Sequence, residues 1–264
     1  VREVPWNGLH IGEWVKEFEG AAAVINLAGK SINCPHTPEN LHEIHESRMN
    51  SVYAVAAAIK HVKVKPGVWV QASAIGYYGD TGDNICTETA PAGTSDLAKI
   101  CIDWEGLTAA AERPLIRKVV LRIGFVLGKD GGALPVLGTL ARLFLGGAAG
   151  SGRQYISWIH IADLAKMFVT VIEKEKFCGA FNAVSPDPVT NAEFMAALRR
   201  ALGRPWSPTV PAFAVKLGAR LMGGEPSLAL SSHRCYPAQF KEAGFQFQFP
   251  ELAPALQDLC RKQK

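Results

Sequence analysis

Three apolar runs, each nearly unbroken and each ending in small residues, set the tightest limit on how this chain folds. They are VINLAG at 24–29, VWVQAS at 68–73 and VVLRIGFVLG at 119–128. A strand with one face in water alternates polar and apolar residues, whereas a strand buried on both faces reads as a continuous apolar run. Between the runs lie long segments with helical periodicity. This alternation predicts a parallel sheet with helices on both faces.

Local signals place the helices. Thr37-Pro38 supplies an N-cap and a first-turn proline, opening a helix to about Val62. SDLAKICIDWEGLTAAAE, from Ser95, reads as the next amphipathic helix. From Gly131 the texture changes: GGALPVLGTLARLFLGGAAGSG is a helix between glycine breaks, and RQYISWIHIADLAKMFVTVIE a strand followed by a helix. Thr190-Asn-Ala-Glu193 is a capping box opening a helix to about Leu202. GRPWSPTVPAF reads as a linker, and the alternating phenylalanines of AGFQFQF as a strand or a packed extended segment.

With 264 residues, 48% of them hydrophobic, the chain can build a large core. The net charge of +4 is mild and the Lys and Arg residues are scattered along the sequence, which argues against a nucleic-acid face. The basic run Arg261–Lys264 reads as a solvated tail. The six cysteines form no CxxC pair and suit a reducing, cytoplasmic compartment. His42 and His45 are spaced three apart, not the four of a zincin helix, so no metal is expected. No apolar run is long enough to span a membrane.

A doubly wound sheet binds ligands at the carboxyl ends of its strands. The glycine fingerprint of a dinucleotide site belongs after the first strand, and no such sequence stands there. GGAAGSG and GKDGG follow a helix and a late strand, so both read as turns. Either this is not a dinucleotide fold, or the first strand–loop–helix unit lies upstream of Val1.

Four segments in order, VINLAG, QASAIGYYG, VVLRIGFVLG and SWIHIADLAKM, decide between these. Together they resemble an extended short-chain dehydrogenase/reductase of the sugar-nucleotide epimerase/dehydratase kind. More narrowly, the chain is similar to an atypical epimerase-like subgroup that ends in a small domain of unknown function, matched here by LSSHRCYPAQFKEAGFQFQFPELAPAL. The resemblance implies an α/β fold: a Rossmann-like doubly wound parallel sheet, its N-terminal βα unit missing from this chain, with a smaller C-terminal α+β lobe. The cofactor domain is expected over 1–205, with 129–160 contributing to the substrate pocket, and the C-terminal domain over 206–264.

The same resemblance assigns a cofactor side. Asn26, Leu27, Ala28 and Gly29 would let a ribose approach, although a plain strand end explains Gly29 alone. Arg48 stands where many members carry Asn and could hold a phosphate or ribose oxygen. Glu43 could accept from a ribose hydroxyl, against the plainer reading of a surface acid. Gly124, Phe125 and Val126 would pass the nicotinamide. The resemblance favours NADP(H) and leaves NAD(H) open, because the residues that separate them lie upstream.

The proton-moving pair of the superfamily, Tyr and Lys four apart, is absent. With Glu105 as anchor the two places hold Leu97 and Cys101, and Lys99 is about 200° out of phase. Ser73 stands at the catalytic Ser/Thr, with its register open by one residue, and Tyr77 is the remaining catalytic candidate. A phenol without a neighbouring Lys is a poor base at pH 7. Tyr78, Arg153, Gln154, Trp158 and His160 are the expected substrate-pocket residues. His160 is equally readable as structural, held by Asp163, which could also cap the helix.

Two functional readings follow. One is an NADP(H)-dependent oxidoreductase or nucleotide-sugar epimerase-like enzyme with non-standard acid/base residues and an unknown small-molecule substrate. The other is a catalytically inactive dinucleotide-binding or sensor protein acting through a partner. Pairing through the two long helices, as superfamily members do, would give a homodimer.

Overall fold

The central strand explains the architecture. In a computed structural model that describes residues 2–111 and 116–261, Val68–Ala74 is a seven-residue strand whose first six residues are buried. In chain order the strands are β1 (Val24–Asn26), β2 (Val68–Ala74), β3 (Arg117–Ile123), β4 (Phe125–Leu127), β5 (Tyr155–Ile156), β6 (Trp158–His160), β7 (Gly179–Ala183) and β8 (Val189–Thr190). The helices are α1 (Pro38–His61), α2 (Asp96–Ala110), α3 (Ala133–Arg142), α4 (Ile161–Glu173), α5 (Asn191–Ala201), α6 (Ala212–Leu221), α7 (Ser227–Leu230), α8 (Ala238–Glu242) and α9 (Leu252–Cys260). Lys262–Lys264, most of the expected basic tail, lie outside the described residues.

The main sheet is parallel throughout, in the order β1-β2-β3-β7. One face packs on α1 and α2 through Val24, Trp69, Val52, Ile59 and Trp104. The other packs on α4 and α8 through Val70, Leu121, Met167, Phe181 and Phe240. A second core gathers β4, β6, α3, α5 and α9 around Trp158, Phe194 and Leu256. The expected helix starts are present: Thr37 accepts from the Asn40 amide, and Thr190 and Glu193 form the full capping box. The outer edge of β1 pairs with no strand among the described residues, and Ile25 and Leu27 are exposed beside it.

Two expected strands are broken. VVLRIGFVLG splits at Gly124 into β3 and β4, and β4 leaves the main sheet to pair with β6. Gly124 is where the backbone of Ser157 crosses. A Cβ there would stand 2.5 Å from the Ser157 carbonyl oxygen, so only glycine permits the crossing. RQYISWIH breaks at Ser157 in turn: β5 joins β8 and β6 joins β4. The QFQF segment forms no strand among the described residues.

The C-terminal residues are woven into both cores. Segment 231–236 lies between the loop after β2 and the β5–β6 region. Thr81 N–H donates to the Ser232 carbonyl, the backbones at Cys86 and Cys235 pair in an isolated parallel β-bridge, and His233 N–H donates to the Tyr155 carbonyl.

Candidate active site

Strand register brings the site together. Ser73 on β2, Arg122 on β3 and Asn182 on β7 are direct neighbours across three parallel strands, near their carboxyl ends. Their side chains therefore share one face, the face covered by α2. A charge inside an apolar strand is costly unless it is paired, and Arg122 finds its partner in Glu105 of α2. Arg122 Nη2 donates to Glu105 Oε2 at 2.8 Å and Nε to Oε1 at 3.0 Å. The Ser73 hydroxyl donates to the same carboxylate at 2.6 Å.

The network continues from Arg122. Its Nη1 donates to the Tyr78 hydroxyl (2.8 Å), which donates to Asn182 Oδ1 (2.8 Å). The Asn182 amide nitrogen donates to the carbonyls of Cys86 and Tyr236. Tyr77 lies flat against the guanidinium, 3.6 Å from ring centre to Cζ. The turn that carries Tyr77 and Tyr78 after β2 is thus anchored by a salt bridge beneath it.

Electrostatics divide the roles. Burial opposes the charge of Arg122, but the hydrogen bonds and charge of Glu105 outweigh it and raise the Arg122 pKa. Burial pushes the Tyr78 phenol up as well, and Arg122 offsets only part of that. Tyr78 stays neutral and is no base. Cys101, at the superfamily's Lys place, is buried beside Ser73 and the Ala74 backbone, and burial pushes its thiol up to about 11. Lys99 faces Asp96 on the outside of α2, as its phase requires.

The predicted cofactor residues form a second group. Asn26, buried, bonds Gln71 and Ser51 and accepts the Ala28 amide. It thereby sets the bend after β1. Leu27 and Gly29 are exposed. A Cβ on Gly29 would come within 3.2 Å of the Arg48 side chain, so glycine lets Arg48 lie against this turn. Arg48 Nη1 donates to the carbonyls of Lys30 and Ile44, and its guanidinium stands 5.0 Å from the Trp104 ring centre. Glu43 pairs with Lys30, a residue the sequence reading passed over. The amide N–H groups of Gly124 and Phe125 are spent on the Ala183 and Ser157 carbonyls, so neither is left to donate to a ligand.

Several predicted pocket residues do other work. Trp158 is fully buried in the second core, its indole N–H donating to the Asp187 carbonyl, so it offers no face to a substrate. Gln154 is buried and donates to the carbonyls of Ala149 and Ala229, tying α7 down. Arg153 is exposed. His160 is the N-cap of α4: its Nδ1 accepts the Ala162 amide, its ring stacks on Phe249 at 3.9 Å, and its Nε2 faces Asp258. Asp163 neither holds His160 by hydrogen bond nor caps the helix; its carboxylate accepts the amides of Gln248 and Phe249.

Burial holds His160 below its ordinary pKa of 6.5, against the pull of Asp258 and Asp163. His233 is lowered in the same way, against Asp80. Both rings fold neutral. Below about pH 6.5 the unfolded chain therefore binds more protons than the folded one, and stability falls as pH falls. The thermal midpoint is expected to drop between about pH 7.5 and 5.5, and His160→Gln with His233→Gln to flatten that slope. An unchanged slope in the double variant would show that neither ring carries it.

Residues 9–183 match the model of the NAD-dependent epimerase/dehydratase family. The chain belongs to the NAD-dependent epimerase/dehydratase family. Residues 210–259 match a domain of unknown function, DUF1731. The chain is 37% identical over 252 residues to the chloroplastic epimerase family protein SDR39U1 homolog of Arabidopsis thaliana, covering 94% of this chain and 71% of that one. It is 35% identical over 264 residues to the epimerase family protein ML0860 of Mycobacterium leprae, covering 97% and 85%. The crystal structure of human epimerase family protein SDR39U1 (isoform2) with NADPH superposes with a TM-score of 0.86 at 30% identity, covering 94% of this chain and 85% of that one. An epimerase-family chain with this sheet and this carboxyl-end network is an NAD(P)-dependent epimerase-like protein.

Glu105, Arg122 and Asn182 were the functional candidates missed from sequence. The signal was present in Arg122, a charge set inside the apolar run VVLRIG.

Proposed function

We propose that this chain is an NADP(H)-dependent oxidoreductase or nucleotide-sugar epimerase-like enzyme in which Ser73, Glu105 and Arg122 replace the superfamily's Tyr/Lys pair. The observation that carries this reading is the 2.6 Å bond from the Ser73 hydroxyl to a carboxylate already clamped by Arg122. Ser73 alone is too weak an acid or base at neutral pH. With Glu105 behind it, Ser73 can pass its proton to Oε1 as it takes one from a substrate hydroxyl. The reverse transfer protonates a carbonyl oxygen as it is reduced. Arg122 keeps charge on the carboxylate tolerable in a buried site, and Tyr77 covers the guanidinium.

A bound nicotinamide dinucleotide would supply the hydride acceptor or donor. The exposed bend Leu27–Gly29, the Lys30–Glu43 pair and the packed strand end at Gly124–Val126 are the residues that would hold it. NADPH in the human relative supports the phosphorylated form. A reducing, cytoplasmic setting suits the six free thiols, and the substrate of this reading is a small molecule.

The test is titration with NADPH and NADH by tryptophan fluorescence, followed by a turnover screen over carbonyl compounds and sugar nucleotides. Ser73→Ala and Glu105→Gln are expected to lose about 100-fold or more in turnover while keeping cofactor affinity. Full cofactor occupancy with no turnover on any panel member would sink the enzyme reading. It would favour the sensor reading, for which Leu97 and Cys101 at the Tyr and Lys places are the supporting observation.

A further inference from the structure

Residues 131–162 and residues 194–224 contain no acidic residue. Residues 131–162 carry Arg142 and Arg153, and residues 194–224 carry Arg199, Arg200, Arg204, Lys216 and Arg220. These seven cations belong to a chain whose formal charge is only +4, so its other charged residues are net acidic. Far apart in sequence, the two stretches are zipped together by the fold. Ala149 bridges Val210, the Ser207 hydroxyl donates to the Phe144 carbonyl at 2.6 Å, and Arg199 donates to the Gly146 carbonyl. The scatter of basic residues in the linear sequence thus becomes a local surplus in space.

The same region presents apolar side chains to solvent. None of the residues of α6 is buried. Phe213, Leu217 and Leu221 stand at i, i+4 and i+8, one stripe of the helix, and are 74%, 59% and 79% exposed. Lys216 and Arg220 follow one edge of that stripe, given the 100° turn per residue. Trp206 is 65% exposed, and the turn Leu143-Phe144-Leu145 is exposed as well. Phe144 is the described non-glycine residue with positive φ, at 61°, a costly conformation that its bond to Ser207 and the guanidinium of Arg204 over its ring hold in place. The same conformation ends α3, with the Leu145 N–H donating to the Leu140 carbonyl.

We propose that α6 and the 143–145 turn form a docking surface for an anionic lipid bilayer. An exposed stripe of Phe and Leu edged by Lys and Arg is the composition that lies in a membrane interface, with the apolar face in the acyl boundary and the cations at the headgroups. A second copy is the other candidate occupant. A two-fold contact sets a patch against itself, and here it would bring Arg204, Lys216 and Arg220 of both copies together. A bilayer rich in acidic headgroups instead meets the patch with opposite charge. No helix of the described residues is long and apolar enough to cross a membrane, and this surface requires none.

The experiment is co-sedimentation of the whole chain with vesicles of phosphatidylcholine alone and with about one-third phosphatidylglycerol. Binding to the anionic vesicles is expected to be about tenfold tighter or more, and to weaken as salt is raised. Lys216→Glu with Arg220→Glu should abolish the preference, and Phe213→Ser with Leu217→Ser should abolish the binding. All four positions are exposed, so circular dichroism and the thermal midpoint should stay as in the parent chain. Sedimentation with neither vesicle, equal binding to both, or retention in either double variant overturns the proposal. Concentration-dependent self-association that the Phe213/Leu217 variant removes, without vesicle binding, overturns it in favour of a second copy.

Discussion

An Arg122→Leu variant is expected to unfold with about 3–5 kcal/mol less free energy than the parent chain, the cost of stranding one half of a buried ion pair. The magnitude rests on burial: the Arg122 and Glu105 side chains are 6% and 13% exposed. Leucine would remove every bond from Arg122 to Glu105, the bond to Tyr78 and the bond to the Glu88 carbonyl at once. The Glu105 charge would remain inside. Urea unfolding of Arg122→Leu, Glu105→Leu and the double variant separates the pair from the packing. The double variant should recover much of the loss, because two apolar side chains of suitable size can replace a buried pair at little cost. A single variant within about 1 kcal/mol of the parent would show that the pair is not buried as described.

The second large effect lies in the C-terminal domain. Phe240 of α8 is fully buried against Phe177, Phe181 and Phe245, with ring centres 5.3–5.5 Å apart. Phe240→Ala is expected to cost about 3–5 kcal/mol, by lost transfer energy and the cavity left behind. Phe213→Ala, on the exposed face of α6, should stay within about 0.5 kcal/mol. The contrast matters because both lie within the stretch matched to the domain of unknown function. A small Phe240 effect would mean that this domain hangs on the sheet as a detachable lobe. A large one means that residues 238–247 supply the sheet with part of its core.

Much of this was legible because it is local. Thr37, Pro38 and the Thr190–Glu193 box declare helix starts within four residues, and VWVQAS declares a strand buried on both faces. The ordered motifs carried the family. The site was only half legible, for a physical reason. Ser73 and Tyr78 sit in a motif, but their partners Glu105, Arg122 and Asn182 reach them through strand register and helix packing, which no spacing encodes. Gly124 could not be read as a strand break, since a glycine inside an apolar run looks the same whether or not another backbone crosses it. Trp158 and His160 were misplaced because motif order says that a residue matters and not which way it faces. Trp158 faces the second core, and His160 faces its own helix and Phe249.

The clasp between Tyr236 and Asn182 bears on how the protein is made. A bond path runs from the Tyr236 carbonyl through Asn182, Tyr78, Arg122 and Glu105 to the Ser73 hydroxyl. Every residue on that path but the first has been synthesised by the time β7 leaves the ribosome, while its last tether arrives more than fifty residues later. During vectorial synthesis the strands can pair early, yet the network at their carboxyl ends is not closed until Tyr236 has been added. Until Tyr236 arrives, Asn182 lacks that tether, so the register of β7 against Tyr78 is fixed by the strands alone.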